Sequence, residues 1–278
     1  MIWKYSTIRV NDGALAVYRA GRGQQIVAVH GITDSHAAWD ALAERLADRY
    51  EIIAYDARGH GASHRPAAGS YALDQYVADL TELVKALDLA QPVVIGHSMG
   101  GATAALTAAT SPDLFRRVIL EDLTWIDPPT APPAEDPLAF VAGWYADLKR
   151  WKEMPHDELV AYQRTQTPER SEESLHIWAT AKQELVPEVI LELGTLFRPW
   201  RPIAEAIRVP TLVITGEVER GAIITGEVER AIEAVGPHVS VARVPGAGHS
   251  IHYDMPDAFY DLVSEFLVRL PDTHDPTA

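Results

Sequence analysis

Short apolar runs alternate with amphipathic stretches through the first half of the chain, and this alternation limits the fold more than any other feature. "QIVAVHG" (25–31) leads into a helical pattern from His36 to Tyr50, and "EIIAYD" (51–56) into one over Leu73–Leu89. "PVVIGHS" (92–98) runs straight into "GGATAALTAAT", and "RRVILED" (116–122) closes the block. Near-continuous apolar runs separated by helices predict a mostly parallel sheet with helices on both faces, an α/β fold. Residues 7–10 and 14–20 flank "NDG" and predict an opening β-hairpin. The alternation resumes with "VPTLVITG" (209–216), a helix near 227–235, "VSVARVPG" (239–246) and a final helix over Pro256–Leu270.

Between the two blocks the pattern changes. "DPPTAPPAEDP" (127–137) is too rich in proline for a helix interior and marks a boundary, after which residues 138–203 carry only helical periodicity. The expected organisation is a core of residues 1–123 and 204–278 with a helical cap inserted at 124–203. Trp125, Trp144, Trp151, Trp178 and Trp200 gather in or beside that insertion. Taken singly, each is a packed core side chain; together they predict a bulky apolar wall at the junction or over a ligand, with Trp125, Trp144 and Trp178 as pocket candidates.

Composition removes several function classes. The formal net charge of −15, spread along the chain, argues against a nucleic-acid groove, which needs a basic face. Cysteine is absent, so there is no disulfide, thiolate metal site or catalytic thiol. Neither a signal-like start nor a membrane-length apolar run occurs, and the expectation is a soluble cytoplasmic protein. No metal constellation or dinucleotide fingerprint is present, so no cofactor is expected.

The chemistry centres on "IGHSMGG" (95–101). A G-x-S-x-G between a strand and a helix makes a tight turn in which Gly96 and Gly100 avoid clashes and Ser98 is pushed out at the sheet's C-terminal edge. The free N–H groups of the following helix point to the same place. With "VAVHG" (27–31), "YDARGHGAS" (55–63) and "VPGAGHSIHYDMPDAF" (244–259), in this order, the chain resembles the α/β-hydrolase fold family over nearly its whole length.

The resemblance implies a serine nucleophile at Ser98, a histidine base at His249 and oxyanion donors at the backbone N–H groups of Ile32 and Met99. It also implies that His30 props the oxyanion loop and that His60 belongs to the fourth-strand motif. His252 is the rival base. Trp39 is expected to pack rather than catalyse. The acid that orients the histidine usually follows the strand after the cap, where the heptapeptide "ITGEVER" occurs twice, at 214–220 and 224–230. Glu219 in the first copy ranks first as the acid; Asp122, at the end of the strand before the cap, ranks second, with Glu121 expected to point the other way. Asp56 is expected to be structural. The second copy is expected to start a helix capped by Thr225 or Gly226, with Glu227 and Glu229 in its first turn.

A serine at the elbow argues against epoxide hydrolases and haloalkane dehalogenases, which resemble this family but use aspartate there. The expected activity is hydrolysis of a small-molecule carboxylic ester through an acyl-enzyme, with Ile223 and Ile224 as further pocket walls. Lactonase or carbon–carbon bond hydrolase activity is the alternative within the fold. A slow-turnover ligand sensor is the alternative from another class.

Overall fold

The computed structural model describes residues 3–126 and 137–268. The segment 127–136, which holds nearly all of the proline-rich boundary, and residues 269–270 of the last expected helix lie outside the described residues. β1 (Lys4–Val10) and β2 (Gly13–Gly21) form the expected hairpin, closed by a Val10–Gly13 pair around Asn11 and Asp12. β3 (Gln24–Val29), β4 (Tyr50–Tyr55), β5 (Val93–His97), β6 (Arg117–Glu121), β7 (Thr211–Thr215) and β8 (Val239–Arg243) complete an eight-stranded sheet in the order β1-β2-β4-β3-β5-β6-β7-β8. β2 runs antiparallel to both neighbours, and the strands from β4 onward in that order are parallel.

The period of two assigns alternate residues to opposite faces. Val27, Val29 and Ile53 enter one core cluster, whereas Ile26, Ala28 and Ile52 enter another on the opposite side. α2 (Leu73–Ala86) and α3 (Met99–Thr110) supply the first cluster; α1 (Asp40–Leu46) and α10 (Pro256–Val268) supply the second. This is the doubly covered sheet that the apolar runs predict.

Two helix boundaries depart from the sequence reading. The stretch from His36 to Tyr50 divides into a 3-10 turn (His36–Trp39) and the shorter α1, because Arg49 N–H bonds back to Leu46 and Tyr50 pairs with Gln24 in the sheet. α2 ends at Ala86 rather than Leu89, and Asp88, at φ 50°, leaves the right-handed helical region. Between β6 and β7 the described residues form α4 (Pro137–Glu153), α5 (His156–Gln166), α6 (Glu172–Glu184), a 3-10 helix (Pro187–Leu196) and α7 (Trp200–Ala206). Among the described residues no helix is long and apolar enough to cross a membrane.

Strand order determines where a site can form. The chain goes from β3 to β4 on one side and returns to β5 on the other, leaving a crevice at the C-terminal ends of β3 and β5, the usual ligand position in such sheets. The crevice stays tight because α3 starts almost against β3. A Cβ on Gly100 would lie 2.1 Å from the Val29 carbonyl oxygen, and one on Gly96 would lie 2.3 Å from the Gly100 carbonyl oxygen. Backbone cannot yield as a side-chain tip can, so Gly100→Ala should lower the unfolding free energy by at least about 2 kcal/mol in urea denaturation.

Candidate active site

Ser98 occupies the turn between β5 and α3 at φ 52° and ψ −114°, a conformation that non-glycine residues rarely adopt. Holding it costs on the order of 1–3 kcal/mol, which the surrounding packing must over-determine. Its N–H bonds the Glu121 carbonyl at 2.9 Å and its carbonyl accepts from Ala102 at 2.9 Å, so the turn is anchored on β6 and α3 at once. Met99 opens α3, where a backbone N–H has no partner one turn earlier.

The loop after β3 is held by two histidines. His30 donates from Nδ1 to the Gly31 carbonyl at 2.8 Å and accepts the Ala57 N–H at Nε2 at 3.0 Å. Those bonds require the neutral tautomer, and burial pushes the His30 pKa down to about 4, with His60 nearby adding to the effect. His60 donates from Nε2 to the Ile32 carbonyl at 2.7 Å, which orients the peptide beyond Ile32. The two motifs of the sequence reading are therefore physically tied, His30 to Ala57 and His60 to Ile32. Asp56 is structural, as expected: it accepts N–H groups from His36 and Ala62 and the side chains of His36 and Tyr18. Arg58 in the same turn makes a buried two-pronged pair with Asp79, both contacts at 2.7 Å.

His249 follows β8 and is paired with Asp122. Its Nδ1–H donates to Asp122 Oδ2 at 2.7 Å, leaving Nε2 as the lone-pair nitrogen. The first-ranked acid is corrected here. Glu219 lies exposed in a 3-10 turn (Val218–Arg220), and the structure does not bring it to His249. Asp122 is fully buried and sits at φ 36°, turned out of line from β6. Its Oδ1 accepts the Thr215 hydroxyl at 2.8 Å and the Ile224 N–H at 3.2 Å, and its Oδ2 accepts the Ile223 N–H at 2.8 Å. Thr215 belongs to the first "ITGEVER" and Ile224 begins the second. Neither copy supplies the carboxylate bound to His249, and both supply donors that hold it.

The second copy otherwise starts α8 (Gly226–Glu233), where the Thr225 hydroxyl accepts the Val228 N–H and Glu229 pairs with Arg243. Ile224 is buried in the main core beside Val228 and Ile232, whereas Ile223 is half-buried. The tryptophans divide similarly. Trp125 stacks on Trp200 at 5.5 Å within the main core, Trp178 meets Trp151 at 5.3 Å inside the insertion, and Trp144 is half-buried against Phe140.

Sequence reasoning passed over several neighbours of this arrangement. His97 donates from Nε2 to the His249 carbonyl at 3.0 Å, and its Nδ1 lies 3.7 Å from Asp34. Lys182 on α6 reaches across to the Thr33 carbonyl at 2.6 Å and lies 3.7 Å from Asp34. Burial lowers the Lys182 pKa to about 8 despite Asp34, while Asp34 itself is held well below the usual carboxylate range because Lys182 and His97 outweigh its burial. Arg170 pairs with Asp254, which accepts the Gly248 N–H at 2.8 Å next to His249. His252, the rival base, is buried and bound to Glu121.

The chain is similar to several known proteins. A sequence model of the alpha/beta hydrolase family matches residues 26–262. A 2-(acetamidomethylene)succinate hydrolase of Mesorhizobium japonicum is 26% identical over 272 residues, covering 93% of this chain and 94% of that protein. An sn-1-specific diacylglycerol lipase, ABHD11 of Mus musculus, is 30% identical over 260 residues, covering 87% and 80%. A solved E-2-(acetamidomethylene)succinate hydrolase superposes with a TM-score of 0.82 at 22% identity, covering 96% of this chain and 99% of that one, a likeness of fold.

The electrostatics of His249 are open to direct measurement. Burial disfavours its imidazolium, but the hydrogen bond and charge of Asp122, with smaller contributions from Glu121 and Asp34, raise its pKa above the ordinary histidine value. An NMR titration of the His249 ring should give a midpoint above that value in the wild type and below the wild-type midpoint in Asp122→Asn.

Proposed function

We propose, since the chain belongs to the alpha/beta hydrolase family, that this hydrolase is a serine enzyme that cleaves small carboxylic esters through an acyl-enzyme. The observation that carries the reading is the Asp122–His249 pair, which sets the tautomer with a free Nε2, at the same sheet edge as the strained Ser98 turn. In this reading Ser98 Oγ attacks the ester carbonyl carbon and His249 Nε2 takes the hydroxyl proton. The tetrahedral oxyanion is received by the N–H groups of Ile32 and Met99. Collapse expels the alcohol, which leaves with the proton from His249, and water then repeats the sequence on the acyl-enzyme. Asp122 stabilises the imidazolium without itself being protonated. The helical insertion acts as a cap over the crevice, with Trp144 and Ile223, both half-buried, on its substrate side.

A second reading concerns the bond cleaved. Lys182 and Arg170 bring two cations of the insertion to the loops after β3 and β8, and one full-length relative is named for a succinate derivative carrying an acetamido group. Both observations favour a small carboxylate-bearing substrate, with an amide-type C–N bond in place of the ester. The nucleophile, base and donors keep the same roles.

Hydrolysis of p-nitrophenyl butyrate at mildly alkaline pH tests the first reading. The wild type should turn over at about 1 per second or faster, which also separates an enzyme from a slow sensor, and Ser98→Ala should remove the activity. Asp122→Asn should lower kcat by about 10⁴-fold, whereas Glu219→Gln should stay within about twofold, because Glu219 is exposed. Equal losses in the two acid variants would overturn the assignment of Asp122.

A further inference from the structure

Directly beside the Asp122–His249 pair lies a second pair of the same chemistry. Glu121 and Asp122 are consecutive, fully buried and turned to opposite sides of the end of β6. Their partners, His249 and His252, stand on one loop and the short helix α9 (Ile251–Asp254). Glu121 Oε1 accepts the His252 main-chain N–H at 2.9 Å and its Nδ1–H at 2.8 Å, and Oε2 lies 2.9 Å from the same Nδ1. The His252 ring stacks on Trp39 at 5.3 Å and meets His97 edge-on at 5.1 Å, and His97 is the residue that holds the His249 carbonyl.

Stability does not account for this arrangement. A buried carboxylate–imidazole pair contributes little compared with apolar side chains of the same volume, because desolvation offsets the attraction. Position does account for it. The Glu121 carboxylate fastens α9, and with it the loop that carries His249, through main chain as well as ring. It also places a negative charge within range of the His249 imidazole. Although burial opposes ionisation, His252 and His97 hold the Glu121 carboxyl below its usual range.

We propose that Glu121 and His252 form a second carboxylate–imidazole dyad, in which Glu121 is a positioning residue that fixes the His249 loop and sets a second carboxylate behind His249. This rests on the reading of His249 as the general base. The charged and titratable groups facing His249 are Asp122 and Glu121 from β6, Asp34 from the loop after β3, His97 from β5, and His252 and Asp254 from α9, with Lys182 and Arg170 reaching in from the insertion. Asp34 is offset by Lys182 and Asp254 by Arg170, while Glu121 has only the imidazoles of His252 and His97 against it. Of the carboxylates behind Asp122, Glu121 is therefore the one whose charge reaches His249 least compensated.

The test is the pH profile of kcat/KM on p-nitrophenyl butyrate, together with an NMR titration of the His249 ring, in wild type, Glu121→Gln, Glu121→Asp and His252→Gln. Losing a negative charge destabilises the imidazolium, so in Glu121→Gln the acidic limb and the ring midpoint should both fall by about 0.5–1 unit, with kcat reduced less than about tenfold. Glu121→Asp keeps the charge, and its limb should stay within about 0.3 unit of wild type. His252→Gln leaves the pair no less negative, so its limb should not fall. A limb unmoved in folded Glu121→Gln, or one that falls alike in Glu121→Gln and His252→Gln, would overturn the proposal. If Glu121→Gln does not fold, a fallen midpoint in Glu121→Asp or His252→Gln overturns it, and midpoints that hold in both support it. If the wild type hydrolyses no ester, the serine-esterase reading fails by itself, and the ring midpoints still decide the dyad.

Discussion

A carboxylate buried without an alkali-type or guanidinium partner is among the costliest groups a fold can contain, and the end of β6 is arranged around one. Among the described residues no lysine or arginine bonds Asp122. Its charge is met by an imidazole, a hydroxyl and two backbone N–H groups. The four donors come from three stretches of chain: the end of β7, the loop that follows, which gives both N–H groups, and the loop after β8. Satisfying this one anion therefore fastens those three segments to each other, and their mutual placement follows from the demand that no buried charge be left unpaired. The left-handed backbone at Asp122 is the local strain that directs the carboxylate toward them.

On the opposite side of the crevice the same economy operates through neutral groups. His30 and His60 are wholly buried, yet their bonds run to main-chain atoms of the loops after β3 and β4. Their work is to hold peptide planes still. Together with the glycine contact between α3 and β3, they keep two backbone stretches at a fixed separation, which is what stabilisation of a developing negative charge by N–H donors requires. The crevice is thus shaped by polar side chains bonded to backbone on one flank and by backbone bonded to a carboxylate on the other.

Much of this was legible in the sequence. The succession of strands and helices, the elbow at Ser98 and the identity of the histidine loop follow from local patterns, because apolar period and glycine placement are local constraints. The carboxylate that binds His249 was not legible, for a tertiary reason. β6 and β7 are adjacent and parallel, and Glu121 pairs with Ile214, so Asp122 and the residues after Thr215 leave the sheet at the same level. A carboxylate on either connection could approach the same histidine. What decides between them is which one is buried with donors, and that depends on a loop folding back across a neighbouring strand. The charges of the insertion were missed for the same reason: Lys182 bonds a carbonyl far away in the chain, and helical periodicity says nothing about what a lysine reaches.

The duplicated heptapeptide makes this point quantitatively accessible. Thr215 and Thr225 have the same neighbour before them and the same five residues after them. Yet one ends a strand with its hydroxyl on a buried anion, and the other caps a helix. Intrinsic propensity is therefore nearly matched between the two positions, and a difference in the response to identical substitutions isolates the contribution of tertiary surroundings. The chain carries its own matched control, a comparison that ordinarily requires grafting one segment into two hosts.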